Sequence, residues 1–414
     1  MPATSIPKVQ IREGKEKQLV RHHPWVFSGA IKPDSKPNLS EQASIVRVED
    51  SSGNFIAYGW SDALSHIPIR LLSWDVAIIP DQNWWVSTLT AAVQRRAPFF
   101  RNLDKTNVFR LVHGEADFLP GIAIDIFGSS VMCLISARVA WTYRRVVVQV
   151  LQRLLNPSVI VVSTDSAFCG VEQLKEVAEW YVQGQLSSEV PGKSEVVFKE
   201  NEIIYSVALG AGQKSGFYCD QRDNRARLEK FSKGKEVLDA FCYTGGFSFN
   251  ALKYGAKSVV SVDSSAPSLE RLASQLRENI AQDTLPKDSK KRLQIIKADV
   301  FQYLREMAPN TFDLIVLDPP KLAQTKKQVP GALRAYKDLN RLAIEKVRKD
   351  GIIFTFSCSG GVTREQLQTA IAWAAKDAQR EVQILETLGH PSDHPIRLSF
   401  PESEYLKGFI FTVL

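Results

Sequence analysis

Five apolar runs in the C-terminal half of this chain stop at a residue able to do chemistry. VLDAFCYTGGFS (237–248), SVVSVDSS (258–265), IIKADVF (295–301) and IVLDPPK (315–321) carry Asp239, Asp263, Asp299 and Asp318. FTFSCSGG (354–361) carries Cys358. Any one of these acids suits a helix N-cap. Four in succession suit a ligand with ribose and adenine. An acid roughly 20 residues beyond a glycine loop, as Asp263 is beyond Gly245 and Gly246, is placed to accept from ribose hydroxyls. Asp299 can accept from an adenine amine while Val300 packs on the ring. The loop lacks a Walker lysine, which argues against a triphosphate, and lacks the GxGxxG fingerprint expected of a nicotinamide enzyme. The commonest fate of a free cysteine is a small buried hydrophobe. Cys358, however, follows Asp318 by one strand–helix–strand step. Both side chains should therefore meet at one sheet edge, where a thiolate could act as a nucleophile.

The elements that must position these residues are legible from periodicity. EVLDAF, SVVSVD, LQIIKAD, FDLIVLD, GIIFTFS, VQILETL and FIFTVL read as strands. Helical patterns intervene at PSLERLASQLRENIAQD, VFQYLREM, AYKDLNRLAIEKVRK and TREQLQTAIAWAAKDA. This alternation predicts a doubly wound, mostly parallel sheet with its ligand at the carboxyl ends of the strands. Upstream, IVRVED (45–50), FIAYGW (55–60) and IPIRLLSW (67–74) predict a small β-rich unit. A helix over 83–103, the strands FRLVHGE, IAIDIFG and VMCLIS, a helix over 137–155 and the strand SVIVVS predict a central α/β unit. The polar stretch 183–195 is the expected boundary, and VVFKENEIIYSVAL (196–209) the expected hairpin. Three domains follow: 1–78, 79–190 and 191–414.

Composition agrees with a globular protein of more than one core: 414 residues, 44% hydrophobic and 23% charged. A net charge of +7 permits an anionic partner without requiring one. The five cysteines are scattered without CxxC spacing, so neither a metal site nor a disulfide framework is expected. MPATSIPKVQ does not read as a signal peptide, and no apolar run reaches membrane-span length. A cytoplasmic location is the expectation.

GQKSGFYCDQRDNR (212–225), VLDAFCYTGGFS, VLDPPK, the SCS tripeptide and DHPIRLSFPESEYLKGF (393–409) resemble the RlmI-type 23S rRNA 5-methylcytosine methyltransferases, a class I S-adenosylmethionine-dependent family. LVHGEADFLPGIAIDIFG (111–128) resembles that family's central domain and HPWVFSGAI (23–31) its N-terminal PUA domain, so the resemblance spans nearly the whole chain. It implies a Rossmann-like methyltransferase domain behind a PUA-like RNA-binding domain, with S-adenosylmethionine as cofactor and RNA as partner. Asp239, Phe241, Tyr243, Thr244, Gly245 and Gly246 would line the methionine end. Asp263 with Ser264 would hold the ribose, and Asp299 with Val300 the adenine. Gln221 and Asp318 complete the implied cofactor set. Arg222, Asn224 and Arg225 would close over the cofactor or face RNA. Arg21, His23 and Trp25, from a loop where basic and aromatic residues crowd together, and Lys321 are further RNA candidates. A homodimer is carried over from the family alone.

Carbon 5 of cytosine is a poor nucleophile until a thiolate adds to carbon 6. Cys358 is assigned that attack, and Asp318 a contact to the cytosine edge with a proton for N3. Nitrogen methylation needs no cysteine, so an N-methyltransferase of RNA or protein stands as the alternative, with a non-catalytic RNA-binding or assembly factor as the third reading. Related 5-methylcytosine enzymes often carry a second cysteine after the motif proline, where this chain has Pro320. The base for the carbon-5 proton is therefore open between Asp318, a water, Asp393 and His394. Cys242, beside the glycine loop, is read either as packed or as supporting the site.

Overall fold

A computed structural model of the chain describes residues 6–35, 44–189, 195–209 and 216–414. Part of the expected boundary stretch and residues 210–215, which include most of GQKSGF, lie outside them. The chain divides into two compact units. One comprises the chain up to Phe198 with Ser206–Cys219 and Asp393–Ser403; the other comprises Lys199–Tyr205, Asp220–Ser392 and Glu404–Leu414.

The first unit contains two sheets. The smaller has five strands in the spatial order Lys8–Gln10, Ser44–Glu49, Phe55–Ser61, Ile69–Ser73, Trp25–Val26. The expected central three are present. The two outer ones are too short for alternation to reveal. Asp50 accepts from the backbone N–H groups of Ser52 and Asn54, and Gly53 takes φ +88°, which closes the expected turn. The second sheet has six strands, in the order Gln185–Leu186, Ala178–Val182, Val159–Thr164, Ser130–Ile135, Ile122–Phe127, Val108–His113. Its helix starts at an Asp81 cap and spans Gln82–Arg95, followed by a 3-10 turn over Ala97–Arg101. The single helix expected over 83–103 is thus interrupted, because Pro98 cannot continue the ladder. Trp60 of the small sheet stacks on Trp85 and Tyr143, with ring centroids 5.3 and 5.4 Å apart. With Leu72 it enters the core of the second sheet, so the two sheets share one apolar interior. That is why 1–78 and 79–190, expected as separate domains, form one compact unit.

The second unit is built on seven strands: β1 (Glu236–Ala240), β2 (Ser258–Asp263), β3 (Leu293–Lys297), β4 (Phe312–Leu317), β5 (Val347–Ser357), β6 (Val382–Leu388) and β7 (Lys407–Val413). Their spatial order is β3-β2-β1-β4-β5-β7-β6, with β7 antiparallel to both neighbours and the rest parallel. The helices of seven or more residues are α1 (Gly246–Lys253), α2 (Ala266–Ala281), α3 (Val300–Glu306), α4 (Val329–Lys346) and α5 (Arg364–Asp377). Leu238, Ala240, Ile315, Leu317 and Ile353 are fully buried, as expected for strands covered on both faces. Ser265 caps α2, and a reciprocal Thr363–Gln366 box starts α5. All seven expected strands and the alternation of the last two hundred residues are present. The order reverses between β1 and β4, which is where ligands bind on open sheets of this kind.

Candidate functional site

The loop from β1 into α1 is the most strained part of the second unit. Phe241, Tyr243 and Gly245 take φ of +64°, +50° and +88° within five residues. Positive φ is costly for the two aromatic residues, and such strain concentrates at functional sites. A Cβ on Gly245 would lie 2.9 Å from Leu272 Cγ, so both conformation and space require glycine there. The loop is tied to β2, because Asp263 accepts Tyr243 N–H at 2.9 Å and Ser265 N–H at 2.8 Å. Ser264 beside it is exposed and Thr244 is buried. Asp239 is 1% exposed; one oxygen accepts from both the backbone and hydroxyl of Ser248 at 2.9 and 2.5 Å. Its other oxygen is buried with no hydrogen-bond partner among the described residues. Burial pushes the Asp239 carboxyl up to about 7, against the pull of the Ser248 hydrogen bonds. A buried acceptor left open beside a strained glycine loop fits a cationic ligand group, such as the ammonium end of the expected cofactor.

Asp299 is exposed, and its Oδ1 caps α3 by accepting Gln302 N–H at 2.9 Å. The adenine contact expected of it must share the residue with that capping role. Val300 is 3% exposed and packs in the core with Leu304. Little of the Val300 side chain is left for the ring contact expected of it.

Asp318 follows β4, and Gln221 Nε2 donates to its Oδ1 at 3.0 Å. Gln221 in turn accepts from Asn224 at 2.6 Å. Burial, and then the charge of Asp220, push the Asp318 carboxyl up to about 7. Cys358 lies just past β5, half-buried, with its Sγ 3.8 Å from the Pro319 carbonyl oxygen. Parallel pairing of Leu317 with Thr355 brings the ends of β4 and β5 side by side. The strand ends that carry Asp318 and Cys358 are therefore neighbours, and the contact shown for the thiol is to the Pro319 carbonyl. Cys358 is the one cysteine of the five that is not buried. The supporting role weighed for Cys242 is disfavoured: burial drives its thiol far above the ordinary range, with Asp239 and Asp263 adding to the shift. Burial likewise pushes the Cys133 thiol up to about 12.

The basic candidates fare unequally. Arg21 and Lys321 are exposed. His23 sits 3.5 Å from Glu402, and Trp25 donates to Glu115 at 2.9 Å and packs edge-on against Phe400, so both brace their own unit. Arg222 and Arg225 are 5% and 4% exposed. One nitrogen of Arg225 bridges both carboxylate oxygens of Glu200 at 2.6 and 2.8 Å. As RNA contacts both are corrected, because buried guanidinium groups cannot reach a phosphate. Asp393 and His394 are weighed as candidate bases. They lie in the first unit at 0% and 1% exposure, where Asp393 accepts Arg110 N–H at 2.8 Å.

Sequence reasoning gave no role to Asp220, Tyr336, Tyr405 or Lys407. Tyr405 donates to Asp220 at 2.6 Å, and the buried Tyr336 hydroxyl lies 3.3 Å from Ser359 Oγ. Lys407 is 3% exposed at the start of β7, opposite Ser357. The signal available for it was a lysine heading an otherwise apolar strand, KGFIFTV.

Comparison with known proteins adds family context. A profile described as a PUA-like domain matches residues 9–74, and one described as S-adenosylmethionine-dependent methyltransferase matches residues 177–355. Ribosomal RNA large subunit methyltransferase I of Tolumonas auensis is 40% identical over 405 residues, covering 97% of this chain and 98% of that protein. The protein of the same name from Photobacterium profundum is 38% identical with the same coverage. Among solved structures, SMU.776 complexed with SAH superposes with a TM-score of 0.81 at 21% identity, over 98% of this chain and 100% of that one. The last likeness is one of fold.

Proposed function

The chain belongs to the ribosomal RNA large subunit methyltransferase I family, and on that premise we propose that it methylates carbon 5 of a cytosine in large-subunit rRNA through a covalent adduct to Cys358. It is an S-adenosylmethionine-dependent rRNA methyltransferase. The observation that carries the finer reading is the placement of the half-buried Cys358 thiol against the Asp318–Pro319 turn.

Bound S-adenosylmethionine supplies an electrophilic methyl group on its sulfonium. Asp239 offers its unpartnered oxygen to the ammonium of the methionine end, and Asp263 holds the ribose. Cys358 attacks carbon 6 as a thiolate; the sulfur–carbon bond forms and the C5–C6 π pair moves through carbon 4 to N3. Asp318, held near neutrality by its burial, donates the proton that N3 takes up. The resulting enamine would make carbon 5 nucleophilic; as carbon 5 bonds the methyl group the methyl–sulfonium bond breaks, S-adenosylhomocysteine leaves and the C4–N3 double bond is restored, with N3 giving up its added proton afterwards. Removal of the carbon-5 proton restores the C5–C6 double bond and expels the Cys358 thiolate. The base for that step stays open between Asp318, a water, Asp393 and His394. Arg21 and Lys321, both exposed, would contact phosphates, and that binding would weaken as salt rises.

The test is to incubate the protein with labelled S-adenosylmethionine and unmodified large-subunit rRNA and to identify the labelled nucleoside. 5-Methylcytidine is expected; an N-methylated nucleoside would overturn the carbon-5 reading.

Cofactor binding should also be coupled to pH through Asp239. Its carboxyl is pushed up to about 7, and a cationic partner favours the ionised form. Seating the cofactor's ammonium should therefore release a proton. Affinity for S-adenosylhomocysteine is expected to rise from about pH 6 to about pH 8, with net proton release in calorimetry across buffers of different ionisation heat. Affinity independent of pH would show that Asp239 does not meet that group.

A further inference from the structure

Four side chains from distant parts of the chain form one linked stack within the first unit. The rings of His22 and Trp74 lie 4.8 Å apart between centroids, with 19° between their planes. The Arg397 guanidinium lies 5.1 Å from the Trp74 centroid and 4.2 Å from that of Phe118. Contacts of this kind set a permanent positive charge against two aromatic rings.

Hydrogen bonds hold that guanidinium in place. Nη1 donates to the Glu115 carbonyl at 3.0 Å, Nη2 to the His22 carbonyl at 2.8 Å and Nε to Ser399 Oγ at 2.8 Å. None of these acceptors is charged. Glu115 is the acid that acts on Arg397, from beyond ion-pair distance, and its carboxylate accepts from Trp25 at 2.9 Å. Burial pushes the guanidinium down to about 10, which leaves it charged at neutral pH.

Phe118 ends the stack. It takes φ +65°, costly for an aromatic residue, just after the 3-10 segment Gly114–Asp117. Its N–H donates at 3.2 Å to the same Glu115 carbonyl that Arg397 uses, so turn and cation brace each other. With the guanidinium over its ring, Phe118 still leaves 41% of its surface exposed. Ile396 and Leu398, on either side of Arg397 in the chain, are also exposed, Leu398 at 93%. Strain spent on holding an aromatic ring open to solvent is characteristic of functional sites.

We propose that Phe118 and Arg397 form a stacking subsite for a second, unpaired base of the rRNA substrate. The inference rests on RNA being the substrate and not on which atom is methylated. A base offers a π face to the open side of Phe118, and its phosphate supplies the negative charge that Arg397 lacks. An apolar protein surface would instead bury that charge without a counter-ion, which is costly. Arg21, exposed beside His22, adds a further cation.

The test is the affinity of the full chain for unmodified large-subunit rRNA, measured by filter binding over a range of salt. Phe118→Ala should weaken binding at least about fivefold, the low end for loss of one base–aromatic stack. Phe118→Tyr should preserve it. Neither change removes a charge, so the salt dependence should keep its slope. S-adenosylhomocysteine binding by each variant reports whether the fold is intact. Wild-type RNA affinity in a cofactor-binding Phe118→Ala protein would overturn the proposal, as would equal weakening by Phe118→Tyr. A dimer lost in Phe118→Ala at unchanged RNA affinity would assign the face to a second copy of the chain instead. Binding is read without methyl transfer, so a product other than 5-methylcytidine would sink the carbon-5 reading separately.

Discussion

Replacing Cys358 with alanine is expected to lower methyl transfer by at least about a thousandfold while leaving S-adenosylhomocysteine affinity unchanged. Loss of a covalent nucleophile removes the step that makes carbon 5 reactive, and such losses are among the largest known for single residues. The proposed cofactor contacts lie elsewhere: Asp239, Asp263 and the Phe241–Gly246 loop belong to the ends of β1 and β2, whereas Cys358 follows β5. The side chain is half-buried, so the truncation is not expected to unfold the domain. Rate measurements on unmodified rRNA together with calorimetry separate the two effects. An enzyme that attacks a nitrogen would lose little, since the cytosine ring then needs no activation.

Asp318→Asn is expected to reduce kcat/KM by about a hundredfold to ten-thousandfold, the range for a positioned proton donor. The amide keeps the shape and can still accept from Gln221, but it cannot give N3 a proton. The pH profile sharpens the prediction. Since the carboxyl is pushed up to about 7, the protonated form required of a donor declines above that pH. Wild-type kcat/KM should therefore fall on the alkaline side with a midpoint near 7, and the Asn variant should lose that limb. Stability should move the opposite way. A carboxyl whose folded pKa lies above its unfolded value stabilises the fold fully below about pH 4, and that contribution is lost as pH rises through about 7. Above that range the neutral amide avoids a buried charge, so Asp318→Asn should be at least as stable as wild type. A variant that is inactive only because it is unfolded would contradict this.

The parts of the fold visible in the sequence are those that local pattern can carry. Strands β1, β4 and β5 are covered on both faces, so each reads as an unbroken apolar run ending at Asp239, Asp318 or Cys358. Their alternation with amphipathic helices fixes the sheet type and hence the edge where ligands bind. What stayed hidden depends on pairings between distant residues. Arg225 resembles a solvated helix start until Glu200 is found against it, buried. Asp393 and His394 sit in a segment that reads as part of the last domain, yet Asp393 is held by Arg96 and Arg110, and His394 packs against His113, all of the first unit. Lys407 looks like an ordinary surface cation because nothing local announces that Ser359 and Tyr405 will enclose it. Asp299 shows the converse: the local rule for a helix cap is satisfied, and the ligand contact has to coexist with it.

The most direct measurement is a covalent trap. RNA carrying 5-fluorocytosine at the target should undergo attack and methylation but not elimination, because carbon 5 then bears fluorine where the base needs a proton. Incubation with S-adenosylmethionine is predicted to yield a protein–RNA adduct that survives denaturation, with the nucleotide mass on the peptide containing Cys358. An adduct on another cysteine, or turnover of the fluorinated RNA without any adduct, would contradict the account.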